Sequence, residues 1–291
     1  MNKKSGFVSL IGRPSSGKST LINRICGYKV SIVSKHPQTT RFLIKGIYND
    51  KESQLVFVDT PGVHNFNLNL NRGLSTLAIK NLEGGDIVLY LVDTTREFGD
   101  EEKEIVENLK QYQDKLIIAY NKLDSERKTS IKDEISKILT PIDSVDISAL
   151  NGKNVTQLIN CIKNHTNFGD LYYPEDYVTD QSIPFRISEM VREQVFNNTT
   201  DELPHSVYVE VNELSVNEEL ITARATIYVE RDSQKGIVIG KGGTMIKKIG
   251  ERARQILGNI FDQRINLFLD VKVNENWRKK DSFIKKMFDL S

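Results

Sequence analysis

The sequence is poor in cysteine, in tryptophan and in long apolar runs. Its 291 residues contain two cysteines and one tryptophan. Cys26 and Cys161 lie far apart, without a CxxC pair or a histidine partner. We therefore expect neither a disulfide framework nor a zinc site, and we interpret both cysteines as reduced packing residues. The longest apolar stretches have the length of a strand, not the ~20 residues of a membrane span. The first residues also lack an apolar segment long enough for a secretory signal, which predicts a cytoplasmic protein.

An excess of charge of one sign is absent as well, but only on average. The 40 Lys and Arg residues nearly balance the 39 Asp and Glu residues, for a net charge of +1. Residues 171–232 nevertheless carry a net charge of −9, and residues 233–291 carry +7. A basic terminal segment of this kind indicates either a surface for a polyanion or a solvated helix face.

The length and the hydrophobic pattern predict two domains. In residues 1–167, short apolar strands alternate with helical patterns, which is typical of an α/β domain with a doubly wound, mostly parallel sheet. We place its strands at 7–11, 55–59, 87–93, 116–121 and 145–147, and its helices at 18–25, 74–82, 101–112, 131–139 and 155–162. Each strand ends at a polar residue, and ligands of such sheets bind beyond the carboxyl ends of the strands.

A linker is predicted at 168–183 and a second, α+β domain at 184–291. The order of elements in the second domain is α-β-β-α-α-β, which fits a type II KH domain. Its predicted helices and strands are 186–196, 206–211, 222–229, a short helix leading to Gly240, 244–256 and 265–273.

A phosphate-binding loop follows the first strand and opens the first helix, as the pattern G-x-x-x-x-G-K-[ST] requires. Its glycines let backbone N–H groups turn toward phosphate oxygens, and the helix N-terminus adds partial positive charge. Lys18 is expected to reach the β- and γ-phosphates, and Ser19 to give its hydroxyl to Mg²⁺. The predicted nucleotide-binding residues here are Gly12, Arg13, Pro14, Ser15, Ser16, Gly17, Lys18, Ser19 and Thr20.

The residues after the fourth predicted strand indicate which base is bound. In Asn121-Lys122-Leu123-Asp124, the Asp124 carboxylate can accept hydrogen bonds from guanine N1–H and the 2-amino group, both of which adenine lacks. Asn121 is expected to bridge the phosphate loop and the ring edge, and Lys122 to lie over the base. In Ser148-Ala149-Leu150, the Ala149 N–H is expected to meet the guanine oxygen.

Two segments are expected to sense the γ-phosphate. Asp59-Thr60-Pro61-Gly62 would place a carboxylate near Mg²⁺ and the Gly62 N–H near the γ-phosphate, and loss of that phosphate would release the loop. In Gln38-Thr39-Thr40-Arg41, Thr40 is favoured over Thr39 as the further Mg²⁺ ligand. The predicted metal ligands are thus Ser19, Thr40 and Asp59.

Catalysis is assigned mainly to positioning by Lys18, Thr40 and the Gly62 N–H, with a partner ordering the switch. Val63 stands where many GTPases have a glutamine that orients water, so intrinsic turnover is expected to be slow, on the order of 10⁻⁴ to 10⁻² per second. Arg13 and Arg41 are weighed as internal arginine fingers against solvent exposure or phosphate contact, and the latter readings are favoured.

A second glycine loop lies in the C-terminal domain, between the apolar run 237–239 and a helix. The glycines of Gly240-Lys241-Gly242-Gly243 would admit a nucleic-acid backbone closely, and KH loops of this form clamp about four nucleotides beside an apolar groove. The predicted RNA-binding residues are Ile239, Gly240, Lys241, Gly242, Gly243, Ile246, Lys247 and Lys248.

Taken together, these motifs resemble those of the Era family, bacterial ribosome-assembly GTPases with a C-terminal KH domain. The resemblance rests on GRPSSGKS (12–19), QTTR (38–41), DTPG (59–62), NKLD (121–124), SAL (148–150), YPED (173–176), VRE (191–193), ELPHSV (202–207) and GKGG (240–243). It implies binding and hydrolysis of GTP to GDP with Mg²⁺, binding to the 3′ region of 16S ribosomal RNA, and a role in maturation of the small (30S) subunit. Some proteins of this class bind a monovalent cation through an asparagine of the loop, and Ser15 at that position argues against potassium activation.

Other readings stay open at this point. The chain could be an RNA-binding module with a structural nucleotide, or a GTPase of the tRNA-modification type, although no appended reactive cysteine is found. The basic cluster from Arg278 to Lys286 could contact further ribosomal RNA or an anionic membrane surface on the inner face of the cell membrane. A monomer is expected.

Overall fold

The computed structural model describes residues 2–34, 41–59, 82–126, 130–199 and 203–277. The chain divides into two compact units. Unit 1 comprises Met1–Ser31 and Pro37–Asp180, and unit 2 comprises Ile32–His36 and Gln181–Ser291. Within the described ranges, no helix combines the length and the apolar character that a bilayer crossing requires.

Unit 1 is built on a twisted sheet with the strand order β2-β3-β1-β4-β5-β6. Its strands are β1 (Lys3–Ile11), β2 (Ile44–Asn49), β3 (Ser53–Asp59), β4 (Ile87–Asp93), β5 (Leu116–Asn121), β6 (Asp143–Asp146) and β7 (Phe168–Gly169). Strands β3, β1, β4, β5 and β6 run parallel, whereas β2 is antiparallel to β3 and β7 is antiparallel to β1. The predicted doubly wound, mostly parallel sheet is confirmed.

The helices of unit 1 alternate with these strands along the chain. Those that lie wholly within the described residues are α1 (Lys18–Cys26), α2 (Asp100–Leu109), which continues into a 3₁₀ turn, α3 (Ser130–Ser136) and α4 (Val155–Asn164). Every residue of β3, β4 and β5 is buried, which is typical of parallel strands covered on both faces. Because these strands are parallel, their polar last residues lie side by side at the carboxyl end of the sheet. These residues are Asp59, Asp93 and Asn121. The predicted helix 74–82 lies almost wholly outside the described residues.

The predicted linker 168–183 differs from the structure over most of its length. Residues 168–180 pack on unit 1, where the side chain of Gln54 accepts the N–H groups of Tyr172 and Tyr173 and donates to the Tyr173 carbonyl. Lys45 forms an ion pair with Asp180 at 2.7 Å. The boundary therefore falls between 180 and 181, because the edge strand β2 and Gln54 supply partners for a segment whose sequence has no strand or helix pattern.

Unit 2 shows the predicted α-β-β-α-α-β order. Its elements are α5 (Ile183–Asn198), β8 (Tyr208–Val216), β9 (Leu220–Val229), α6 (Asp232–Ile239), α7 (Thr244–Phe261) and β10 (Arg264–Val273). The central strand β9 is antiparallel to β8 and parallel to β10. Helix α5 packs against α7 and β8, and α7 packs against β10. The single tryptophan, Trp277, is fully buried and donates to the Ser206 carbonyl at 2.9 Å, so it is a packing residue.

Candidate nucleotide site and RNA-binding loop

The loop between β1 and α1 is a cradle that only glycine can form at two positions. A Cβ on Gly12 would lie 2.4 Å from the Leu91 carbonyl oxygen, and a Cβ on Gly17, whose φ is +103°, would lie 2.4 Å from Nδ2 of Asn121. Ser15 adopts a left-handed φ of 61°, which turns the loop before the helix. The backbone is therefore held close around the N-terminus of α1, where an anion is favoured.

Lys18 lies at the base of this cradle and is buried. Its Nζ donates to the carbonyl oxygens of Gly12, at 2.8 Å, and Arg13, at 3.1 Å. Burial lowers the pKa of Lys18, against the opposing effect of the carboxylates of Asp59 and Glu102. The ammonium group is thus desolvated and held by two carbonyls at the loop, where a phosphate oxygen can replace them as its acceptor.

Asp59, at the carboxyl end of β3, is fully buried and accepts hydrogen bonds from two hydroxyl groups. Its Oδ2 accepts from Ser19 Oγ at 2.8 Å and from Ser31 Oγ at 3.1 Å. Carboxylate and hydroxyl oxygens are the hard donors that Mg²⁺ prefers, and Lys18 lies in the same loop. These residues therefore fit an Mg²⁺-bound phosphate. Ser31 was not foreseen, since no motif marks it.

The side chain of Arg13 has a role that the sequence did not indicate. It is 9% exposed and donates to Glu101 at 3.1 Å, to Glu102 at 2.9 Å and to the Glu97 carbonyl at 3.2 Å. Glu102 is fully buried and also accepts from the hydroxyl of Tyr90. In this structure the side chain is neither an arginine finger nor exposed to solvent nor aimed at a phosphate, because Glu101 and Glu102 of α2 hold it in ion pairs. Arg41, 6% exposed, is not a solvated side chain either.

Asn121 joins the phosphate loop to the base-binding segments. Its Nδ2 donates to the Ser16 carbonyl at 2.7 Å, as predicted, and its Oδ1 accepts the Ala149 N–H at 2.9 Å. The Ala149 N–H therefore meets Asn121 in this structure, and a contact with the guanine oxygen requires that bond to be shared or exchanged.

Asp124 and Lys122 lie beside Asn121 with their charges held by neighbours. The hydroxyl of Ser148 donates to Asp124 Oδ1, and this bond is the main reason that the pKa of Asp124 is lowered. Lys122, at a φ of 69°, forms an ion pair with Asp93 at 2.6 Å. Burial raises the pKa of Asp93, but hydrogen bonds from Lys122 and Thr95 outweigh it and leave the pKa lowered. The Lys122 ammonium is thus directed to Asp93, and only its aliphatic stem is left to lie over a base.

Sequence reasoning also missed Arg24, which fixes the segment 148–150. Its Nε donates to the Ala149 carbonyl at 3.4 Å, and its Nη2 donates to the Leu150 carbonyl. Because Arg24 is on α1, the helix that opens at the phosphate loop also sets the base-binding segment. Four predicted site residues of this unit, Thr40, Thr60, Pro61 and Gly62, lie outside the described residues.

In unit 2, the loop from Gly240 to Gly243 is open to an approaching backbone. Gly240, Gly242 and Gly243 have positive φ angles of 73°, 61° and 79°. A Cβ on Gly240 would lie 2.8 Å from Met245, whereas Gly242 and Gly243 have nothing within 4 Å of that position. The first glycine is thus required for packing against α7, and the other two leave space above the N-terminus of that helix.

The side chains around this loop divide into exposed and engaged groups. Lys241, Lys247 and Lys248 are exposed, while Ile239 and Ile246 are half-buried. Lys247 lies 4.0 Å from Glu251, an exposed pair that holds the lysine only weakly. By contrast, Arg252 and Arg254 donate to Asn198 and to the Leu267 carbonyl. The three lysines thus present exposed positive charge at the loop and at the start of α7, and Arg252, which is also exposed, adds to it.

Two family models match the chain. One, described as a 50S ribosome-binding GTPase, matches residues 7–122, and the other, described as a KH domain, matches residues 202–278. These ranges correspond to the phosphate-loop unit and to the unit with the glycine loop.

Curated relatives and solved structures match almost end to end. The chain is 42% identical to GTPase Era of Borreliella burgdorferi, over 98% of this chain and 100% of the relative. It is 44% identical to GTPase Era of Treponema denticola, over 97% and 99%. A crystal structure of an Aquifex aeolicus Era variant bound to GDP·AlF4⁻ is 34% identical, covers 98% of both chains and has a TM-score of 0.92.

A second structure, of Era in complex with MgGDPNP and nucleotides 1506–1542 of 16S ribosomal RNA, gives the same identity, coverage and TM-score. These matches cover 97–98% of the chain and thus extend over both units. With the phosphate-binding loop, the base-binding segment 121–124 and the KH domain in one chain, this protein belongs to the Era family of GTPases.

Proposed function

We propose that this GTPase binds GTP and GDP with Mg²⁺ in unit 1, binds the 3′ region of 16S ribosomal RNA through unit 2, and acts in the cytoplasm in maturation of the 30S subunit. The observation that carries the nucleotide part is Asn121, which holds the phosphate loop and the base-binding segment together. The RNA part is supported by the open glycine loop beside Lys241, Lys247 and Lys248.

In the hydrolysis reaction, the main role of the protein is to position the phosphate groups and Mg²⁺. Bound Mg²⁺ supplies neutralisation of charge on the phosphate oxygens, with Ser19, Asp59 and Thr40 as the residues that would hold it. Lys18, already desolvated, exchanges its two carbonyl acceptors for phosphate oxygens at little further cost of desolvation. The Gly62 N–H is assigned to the γ-phosphate. Because Val63 cannot orient the attacking water, we propose slow intrinsic turnover that a partner accelerates.

One segment offers a route from the nucleotide to the RNA-binding unit. The Ser31 hydroxyl donates to Asp59, and the next residue begins the part of the chain that belongs to unit 2. Two residues after Ser31, the Val33 N–H donates to Oε1 of Glu193, a buried residue of α5, at 2.8 Å. The same segment leads directly to Thr40. We propose that binding of Mg²⁺ by Thr40 shifts this segment of the chain. This shift then changes the affinity of unit 2 for RNA.

The test is RNA affinity in two nucleotide states. An RNA with the 3′-terminal sequence of 16S ribosomal RNA and a scrambled RNA of equal length are titrated with the full chain and Mg²⁺. The affinity for the first should be roughly 5- to 150-fold higher with a non-hydrolysable GTP analogue than with GDP, the usual range of such coupling. Equal affinities in the two states, or equal binding of both RNAs, would overturn the proposal.

The segment itself is tested with Glu193→Ala, with Glu218→Ala, an exposed glutamate of the same unit, as the matched control. The ratio of RNA affinities between the two nucleotide states should fall toward one in Glu193→Ala and stay unchanged in Glu218→Ala. Fluorescence of Trp277, which is buried in unit 2, serves as the check on folding of that unit, and guanine nucleotide affinity as the check on unit 1.

For the basic cluster from Arg278 to Lys286, which lies outside the described residues, further ribosomal RNA and an anionic membrane surface remain the two proposed partners. Co-sedimentation with vesicles rich in anionic lipid, with and without competing RNA, separates them. We also propose a monomer, which light scattering after size-exclusion chromatography tests directly.

A further inference from the structure

Three side chains that can bind a transition-metal ion lie close together at one corner of unit 1. Asp143 is the first residue of the edge strand β6. Cys161 lies on α4, and His165 follows it by four residues, at the C-terminal end of the same helix. Residues four apart share a helix face, so the cysteine and the histidine both face the start of β6.

The distances place the ligand atoms around a common point. Nε2 of His165 lies 3.6 Å from Oδ2 of Asp143. The Cys161 Sγ, the imidazole nitrogen and the carboxylate oxygen all lie within 4.8 Å of one another. In tetrahedral coordination, metal–ligand distances of ~2.0–2.3 Å place the ligand atoms about 3.3–3.8 Å from one another. Side-chain rotations that move these atoms by about 1 Å therefore complete the site. Cys161 is buried, whereas Asp143 and His165 are exposed, so an ion can enter from solvent.

The present hydrogen bonds orient the same atoms. Oδ1 of Asp143 accepts the Ser144 N–H at 2.7 Å, which turns Oδ2 toward His165. The Cys161 thiol donates to the Asp143 carboxylate, and this bond is the main cause of the lowered pKa of Asp143. The thiol hydrogen of Cys161 thus points at the Asp143 carboxylate, and a cation bound by the sulfur and the carboxylate can take its place.

We propose that Asp143, Cys161 and His165 bind one Zn²⁺ ion, with water as the fourth ligand. A thiolate and an imidazole select zinc over Mg²⁺ or Ca²⁺, which prefer sets made of oxygen alone. On binding, the S–H bond of Cys161 breaks, the sulfur coordinates the metal, and the proton leaves to solvent. The ion then fastens the end of α4 to β6. The corresponding pattern in the sequence is the spacing C-x₃-H at 161–165, and the proposal departs from our expectation of no zinc site.

The experiment uses the full chain, stripped with a chelator, kept reduced with a phosphine, and saturated with MgGDP so that the phosphate loop is occupied. Zn²⁺ is titrated against a chromophoric competitor, and Co²⁺ is added separately as a spectroscopic probe. We expect one tight Zn²⁺ per chain. Co²⁺ should give a thiolate-to-metal charge-transfer band and the visible bands of four-coordinate cobalt.

Variants assign the ligands. Cys161→Ser, His165→Gln and Asp143→Asn should each lower Zn²⁺ affinity by at least ~100-fold, beyond the 10- to 100-fold typical of loss of an outer-shell partner. Cys26→Ser, which removes the only other cysteine, should leave affinity and spectrum unchanged.

The proposal is overturned if wild-type protein gives no thiolate–cobalt band, if Zn²⁺ binding survives all three substitutions, or if Cys26→Ser loses as much affinity as Cys161→Ser. The cobalt spectrum of wild-type protein decides the question even where a variant fails to fold. The proposed function assigns no role to these three residues, so failure here leaves it standing.

Discussion

The buried ion pair between Arg13 and Glu102 allows a quantitative test of how the phosphate loop is held. Glu102 is fully buried, and its pKa is raised by burial even though Tyr90 and Arg13 oppose that effect. Removal of one partner from a buried pair typically costs about 3–5 kcal/mol, because the other charge is left without compensation. The bond from Arg13 to Glu101, whose side chain is 45% exposed, adds little. Arg13→Ala should therefore destabilise unit 1 by about 3 kcal/mol.

The lower end of that range follows from the titration of Glu102. Without Arg13, the carboxyl can take up a proton, and each unit of pKa change is worth about 1.4 kcal/mol. Because its pKa in the folded state is then further above the unfolded value, the folded state binds the proton more readily. The stability deficit of Arg13→Ala is consequently full above the folded-state pKa and shrinks as the pH falls toward the unfolded-state pKa.

The assay is urea denaturation of the full chain without nucleotide, followed by far-UV circular dichroism. Trp277, the single tryptophan, is buried in unit 2, so its fluorescence reports that unit alone and should not shift. Lys103→Ala is the matched control, because it removes a cation from an exposed pair on the same helix, α2, and should cost no more than about 0.5 kcal/mol. A loss below about 1 kcal/mol in Arg13→Ala, or one equal to the control, would refute the reasoning.

Three further predictions concern the base and the RNA. Asp124→Asn should shift nucleotide preference from guanine toward xanthine, measured by competition between GDP and XDP; unchanged preference would contradict the assignment of the carboxylate. Ser148→Ala should raise the pKa of Asp124, measured by carboxyl NMR titration, because the hydroxyl bond that lowers it is lost. Guanine binding should then weaken at a higher pH than in the wild type as the solution is acidified. Lys247→Ala should weaken binding equally for all RNA sequences and flatten the dependence of log K on log salt by ~0.7, whereas an unchanged slope would remove Lys247 from the interface.

The loops and strands of unit 1 were predictable where neighbouring residues alone determine the backbone conformation. The glycines at 12 and 17 require their loop, and the buried runs 87–93 and 116–121 require strands covered on both faces. Strand β2 was missed because Gly46 interrupts its pattern. The structure explains that glycine, since a Cβ there would lie 2.6 Å from Ile22 and 2.8 Å from Cys26 on α1.

What the sequence alone determined was the pair of ligand-binding loops, because a glycine turn followed by a helix is formed by neighbouring residues. Only the tertiary structure decided which distant side chains serve them. Ser31 on Asp59, Arg24 on the 149–150 carbonyls and Arg13 on Glu102 are all pairings across elements. The same holds for Asp143 beside Cys161 and His165. Such pairings depend on the order of strands in the sheet and on helix packing, which bring together residues that no sequence window contains.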